Sequence, residues 1–163
     1  MADHWLDLLS LDFWARIGVA VLAGGSVGLE RQLRGKPAGM RTSILICLGT
    51  AVFVSLGVEA QGEHADPTRV LGQVVTGIGF LGAGVILTRD GMVHGVTSSA
   101  VIWMLAGIGS AVGFGRYGAA LALTAITLTV TTGIEFLENA FGALRRGVHG
   151  RRRTVDASHQ APH

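Results

Sequence analysis

The chain has 163 residues, of which 49% are hydrophobic and only 15% charged, with 25 glycines and a formal net charge of +2. A charged fraction well below the ~25% of soluble domains excludes an ordinary aqueous globule. The single cysteine, Cys47, excludes an internal disulfide and a cysteine-based metal cluster.

The charges are also clustered, and the gaps between them set the elements. Several stretches of roughly 17 to 25 residues carry almost no charge, the length a helix needs to cross ~30 Å of hydrocarbon. They are continuously apolar, without the period-two alternation of a barrel strand. Read in chain order, they predict five transmembrane helices at about 11–30, 40–59, 69–88, 95–114 and 117–137. The leading segment MADHWLDLLSLDFW has no basic region and no small-residue cleavage site, so it reads as uncleaved. The first helix reaches spanning length only if Arg16 snorkels outward. Residues 1–140 are thus expected to form a transmembrane domain, and 141–163 a short, basic, disordered tail. The fold class is all-α: a polytopic membrane protein with glycine-rich packing and no soluble domain.

Basic residues set the orientation. Arg31, Arg34, Lys36 and Arg41 lie between the first two helices, Arg89 between the third and fourth, and five arginines in the tail. All fall on one side, which should be cytoplasmic. The N-terminus is then outside, with Trp5 and Trp14 at the outer interface.

Glycine weakens a helix in water, but in lipid helices gain by close packing, which small residues permit. Gly24 and Gly28 form a small-xxx-small pair on the first helix. Gly77, Gly79, Gly82 and Gly84 make a groove on the third, and Gly107 and Gly109 serve the fourth. Thr124, Thr127 and Thr131 recur at helical spacing on the fifth and can bond back to their own backbone. A shift of 56 positions superposes Gly28, Gly35, Gly39, Ser43 and Gly57 on Gly84, Gly91, Gly95, Ser99 and Gly113, suggesting a helical hairpin repeated in parallel.

Candidate polar sites lie at both membrane faces. Glu30 and Arg34 are four apart, in the favourable order for a helical pair. With Arg31, Lys36 and Arg41 they form either an ion-paired collar or a docking and headgroup-binding site. Arg41 and Thr42 open the second helix and could meet a phosphate. On the outer side Asp66 reads as the N-cap before Pro67. Asp66, Arg69 and Gln73 then make a polar line into the membrane. It is either a helix–helix hydrogen-bonding strip or the mouth of a cation path, with Asp66 a weak candidate metal ligand. Magnesium is held by one or two carboxylates and keeps several waters, yet no carboxylate falls at mid-membrane, where transporters commonly place ionisable groups. The six histidines show no ligand spacing, and GAG in the third helix follows no strand, so it is not a nucleotide fingerprint. The expectation is a non-enzyme without a cofactor beyond weakly bound Mg2+, without nucleic-acid partners, and homo-oligomeric within the bilayer.

Three blocks carry a resemblance: GGSVGLERQLRGKPAGMRT at 24–42, DPTRVLGQVVTGIGFLGAGVIL at 66–87 and GVTSSAVIWMLAGIGSAVGFG at 95–115. Together they resemble the signature of the bacterial MgtC/SapB family of membrane proteins. The resemblance implies an inner-membrane protein tied to magnesium homeostasis, in a family whose pathogen members are linked to survival in host cells. It implies regulation of another membrane protein, the ATP synthase among them, with magnesium transport as the alternative. The chain departs from the family in carrying a tail where many relatives have a soluble C-terminal domain. It also has Thr97 where some carry an amide.

Overall fold

The computed structural model describes residues 10–60, 67–89 and 92–140. Five helices are present among them: α1 Leu11–Leu33, α2 Met40–Ala60, α3 Pro67–Ala83, α4 Val96–Gly113 and α5 Tyr117–Ala140. Four of these, all but α3, are long and apolar enough to cross a membrane. Asp66, Trp5 and the segment 141–163, with its expected disorder, lie outside the described residues.

Local chemistry explains the helix ends. Ser10 caps α1 by accepting the Phe13 N–H at 3.1 Å. Beyond its other end, Lys36 N–H reaches back to the Arg31 carbonyl at 3.0 Å, with Gly35 at φ +62°. The C-terminus of α4 repeats this closure: Arg116 N–H bonds the Ala111 carbonyl at 2.8 Å, with Gly115 at φ +69°. Both turns need the left-handed conformation that glycine adopts without penalty.

The third helix departs from expectation. It ends at Ala83 rather than near residue 88, and a short antiparallel hairpin follows, β1 Leu87–Arg89 paired with β2 Met92–His94. The fold is therefore not purely helical. At 17 residues α3 is about 25 Å long, short of the ~30 Å hydrocarbon core. The signal for the hairpin is in the sequence: Asp90-Gly91, a favoured two-residue connection, separates segments rich in strand-forming residues. The apolar run Val85–Leu87 masked it, because a short apolar stretch does not by itself distinguish helix from strand. Gly84 sits in the turn after α3, not on a packed helical face.

Gly95 closes the hairpin onto α4. It has φ +91°, and a Cβ there would collide with the Val85 carbonyl oxygen. Gly95→Ala is expected to dislodge the hairpin while leaving the helices folded. Limited proteolysis should then cut within 85–95 at least about tenfold faster than in the parent protein, an effect equivalent to about 1.4 kcal/mol of local stability.

Residues up to Thr127 form one packed unit and those from Leu128 onward another. In the first, α2 packs on α4, while α1 and α3 each pack on both. The core holds Ala20, Ala23, Cys47, Ala51, Ile108, Val112 and Ala120, with Leu123 and Tyr117 of α5 against it. Small residues dominate, as expected where close approach rather than escape from water drives packing. Large apolar side chains point outward instead: Phe80, Phe53, Leu22 and Leu45 are each more than half exposed. So broad an apolar exterior is untenable in water and suits acyl chains. In the second unit α5 continues to Ala140, and the Thr131 and Thr132 hydroxyls bond back to the Leu128 carbonyl.

Candidate functional site

The glycines fall into two groups. A Cβ on Gly28 would lie 2.5 Å from the Met40 Cα, and one on Gly24 would lie 2.7 Å from the Ser43 carbonyl oxygen, so the α1 and α2 backbones touch there. Gly109 is set against the Cys47 carbonyl in the same way, and Gly82 against the Ser99 side chain. Gly77, Gly79 and Gly107, by contrast, have open space where a Cβ would stand. Among the described residues nothing fills the predicted packing groove on α3 at Gly77 and Gly79. Two contacts went unread in the sequence: Gly113 meets Ala51 and Val54, and Gly57 meets Val70.

Two arginines of α1 bond to other elements. Arg16, expected to snorkel outward, has its Nε donating to Asp12 at 2.8 Å, one turn nearer the start of α1, and its Nη1 donating to the Gly113 carbonyl at 2.6 Å and to Ser55 at 3.2 Å. The Gly113 carbonyl is an orphan acceptor at the C-terminus of α4, and a cation there also complements the helix dipole. Ser55 donates to the same carbonyl, and the Tyr117 hydroxyl donates to Asp12. One polar cluster thereby ties α1, α2, α4 and α5 together.

Arg31, read from the sequence as part of an ion-paired collar or docking site at the helix ends, is only 2% exposed. Its Nε and Nη2 donate to the Pro37 carbonyl at 2.9 and 2.6 Å, and Nη2 also donates to Ser98 at 2.7 Å. It joins α1 to its following loop and to the first turn of α4. Sequence reasoning missed this because a charged residue at a helix end is usually solvated. The compensating acceptors lie six and 67 residues away.

The rest of the collar divides. Glu30 and Arg34 pair at 3.0 Å, at the predicted spacing. The other Glu30 oxygen, Oε2, is buried without a hydrogen-bond partner. Lys36, Arg41 and Thr42 are exposed, as is Thr97 in the first turn of α4. Arg69 and Gln73 are exposed on α3, one turn apart. Gln73 lines an open groove between α2 and α3. That groove encloses about 790 Å³ and is walled by Thr42, Leu45, Gly49, Phe53, Gly77 and Leu81 among others. Thr50 and Gln73 are polar interruptions in a mostly apolar lining. The Thr124 and Thr127 hydroxyls bond back to their own helix, at Ala120 and Leu123. Among the described residues no three His, Cys, Asp or Glu side chains converge as a metal site.

The model of the MgtC family matches residues 17–140. A protein of Escherichia coli named as a putative magnesium transporter, YhiD, is 40% identical over 129 residues, covering 75% of this chain and 60% of its own. Protein MgtC of Salmonella typhimurium is 42% identical over 122 residues, covering 74% of this chain and 52% of its own. Protein SapB of Bacillus subtilis is 37% identical over 134 residues, covering 77% and 56%. The chain thus spans about half to three fifths of these relatives. No solved structure matches it. The matched span runs from within α1 to the end of α5 and contains both inward-reaching contacts of Arg31, the α2–α3 groove and the glycine contacts, and on that span the chain belongs to the MgtC family.

Proposed function

We propose that this protein is a non-enzymatic regulator tied to magnesium homeostasis. It resides in the bacterial inner membrane with its N-terminus outside and C-terminus in the cytoplasm. There it acts by helix-to-helix contact with another membrane protein, as a homo-oligomer, and the 141–163 tail rests near anionic headgroups. The observation that carries this reading is the use made of the two arginines near the ends of α1. Arg16 and Arg31 are bonded into helix ends and loops as struts, whereas transporters commonly use ionisable groups that face water and exchange ligands, although a carbonyl-lined pore needs none. α5 offers a contact surface in Gly118, Ala122 and Ala125, exposed at helical spacing.

Magnesium transport is the second reading, supported by the name of the Escherichia coli relative. Weak Mg2+ binding by outer carboxylates such as Asp66 belongs to it. Purified protein in liposomes containing a magnesium-sensitive dye separates the two. Regulation predicts flux within about twofold of empty liposomes and co-purification of a membrane partner that Ala122→Leu weakens at least about tenfold. Rapid flux abolished by Asp66→Ala or Gln73→Leu would establish transport instead.

A further inference from the structure

The side on which α2 and α3 leave their groove open is charged at its ends and notched between them. Glu59, next to the last residue of α2, and Arg69, in the first turn of α3, are both exposed where α2 gives way to α3. Neither is ion-paired among the described residues. Arg41 lies about five turns back from Glu59, on the same side of α2. On α3 the exposed residues Arg69, Gln73, Thr76 and Phe80 follow one another at helical spacing along one stripe. The Thr76 hydroxyl bonds back to the Gly72 carbonyl at 2.9 Å. The Gln73 amide has no hydrogen bond to the described residues, and in lipid such a group is satisfied across a helix interface. Gly49 and Gly77 have nothing within 4 Å of where a Cβ would stand. Phe53 and Phe80, 68% and 83% exposed, stand one helical turn from these notches. At 17 residues α3 is also shorter than the hydrocarbon core is thick, a mismatch that oligomerisation relieves.

We infer that a second copy of this chain covers this face about a two-fold axis, with Glu59 of each copy against Arg69 of the other and Phe80 of each over Gly49 of the other. Copies of one membrane protein share an orientation, so the axis runs along the membrane normal and equivalent residues sit at equal depth. α2 and α3 run in opposite directions, with Gly57 of one against Val70 of the other. The axis therefore lays α2 of one copy along α3 of the next, and each contact occurs twice. The registers agree: along the helices Gly49 is about 15 Å from Glu59, and Phe80 about 16.5 Å from Arg69. The charges agree as well. Glu59 answers Arg69, and Arg41 falls just beyond the C-terminus of the other α3, the negative end of its dipole. Both cations flanking the groove thereby find a counterpart, which a single lipid headgroup cannot give. The two Gln73 amides lie at one depth, where they bond each other. This pairing gives the proposed homo-oligomer its surface and rests on that reading, and it leaves the exposed face of α5 to the partner protein.

The test is energy transfer between donor- and acceptor-labelled full-length chains reconstituted in liposomes over a dilution series in lipid. The wild type should associate. Glu59→Arg and Arg69→Glu, each alone, set like charges across both contacts and should weaken association at least about tenfold. An equal mixture of the two variants should recover it, because every contact between unlike variants again joins opposite charges. That recovery also shows both variants to be folded. It cannot arise from a pair within one chain, since each variant carries like charges at its own two positions. Gly49→Leu meets nothing in its own chain and should weaken association at least about tenfold by filling the notch, with thermal unfolding confirming its fold. Undiminished association of the charge variants or of Gly49→Leu, or no recovery on mixing, overturns this face while the homo-oligomer stands. A wild type that stays monomeric at every dilution overturns the homo-oligomeric reading with it and gives the groove to lipid or to a foreign helix.

Discussion

Gly109→Ala is expected to leave little folded protein, although it adds a single methyl group. The α4 backbone at Gly109 lies against the α2 carbonyl of Cys47, with the Thr50 Cβ 2.9 Å from where the new carbon would stand. A side chain can rotate aside, but a carbonyl held in a helix cannot. The two helices must therefore separate, and contacts between Gly113 and Val54 further along the same seam open with them. Overpacking costs about 1–3 kcal/mol where side chains yield, so about 3 kcal/mol or more is expected here. Gly107→Ala, two residues away with nothing within 4 Å, should be neutral or slightly stabilising, since alanine is the better helix former by about 1 kcal/mol. Thermal unfolding of the purified variants in detergent checks the pair. Similar melting temperatures for both would mean that α2 and α4 do not meet as described.

Arg31→Met is the second large effect. The substitution keeps length and apolar bulk but strips the donors from the Pro37 carbonyl and the Ser98 hydroxyl. A buried acceptor without a partner costs about 1–3 kcal/mol; Ser98 is buried whereas Pro37 is exposed, so a total loss of about 1–3 kcal/mol is expected. Arg31→Lys should rescue little of it. One ammonium cannot reproduce the planar fork that bonds Pro37 through two nitrogens and Ser98 through one of them. The same purified-protein unfolding assay ranks the three chains. A lysine variant as stable as the parent would show that charge alone, without the fork, suffices.

These two residues also mark where the sequence stopped being readable. Apolar length placed α1, α2, α4 and α5 within a few residues, because the hydrocarbon thickness of a bilayer imposes that length whatever the neighbours. The GxxxG spacing of Gly24 and Gly28 disclosed a close approach for a similarly local reason. Which glycine of a pair such as Gly107 and Gly109 faces a neighbour is not local: they lie about 200° apart around the helix, and only the position of α2 decides between them. The same holds for Arg16 and Arg31, whose partners come from distant segments. The hairpin after α3 was concealed by three apolar residues that helix and strand accommodate alike. The Glu30–Arg34 pair was visible at four-residue spacing; its orphaned Oε2 was not.

The two guanidinium contacts also act as a ruler. Arg16 meets Gly113 at one end of α4 and Arg31 meets Ser98 at the other, and equal numbers of residues separate the two arginines and their two partners. α1 and α4 therefore gauge each other's length. Deleting one residue between the arginines would shorten one arm by about 1.5 Å and turn it through about 100°, so that either grip could persist but not both. Substitutions between those points are a matter of side-chain fit, whereas insertions and deletions there break the gauge itself.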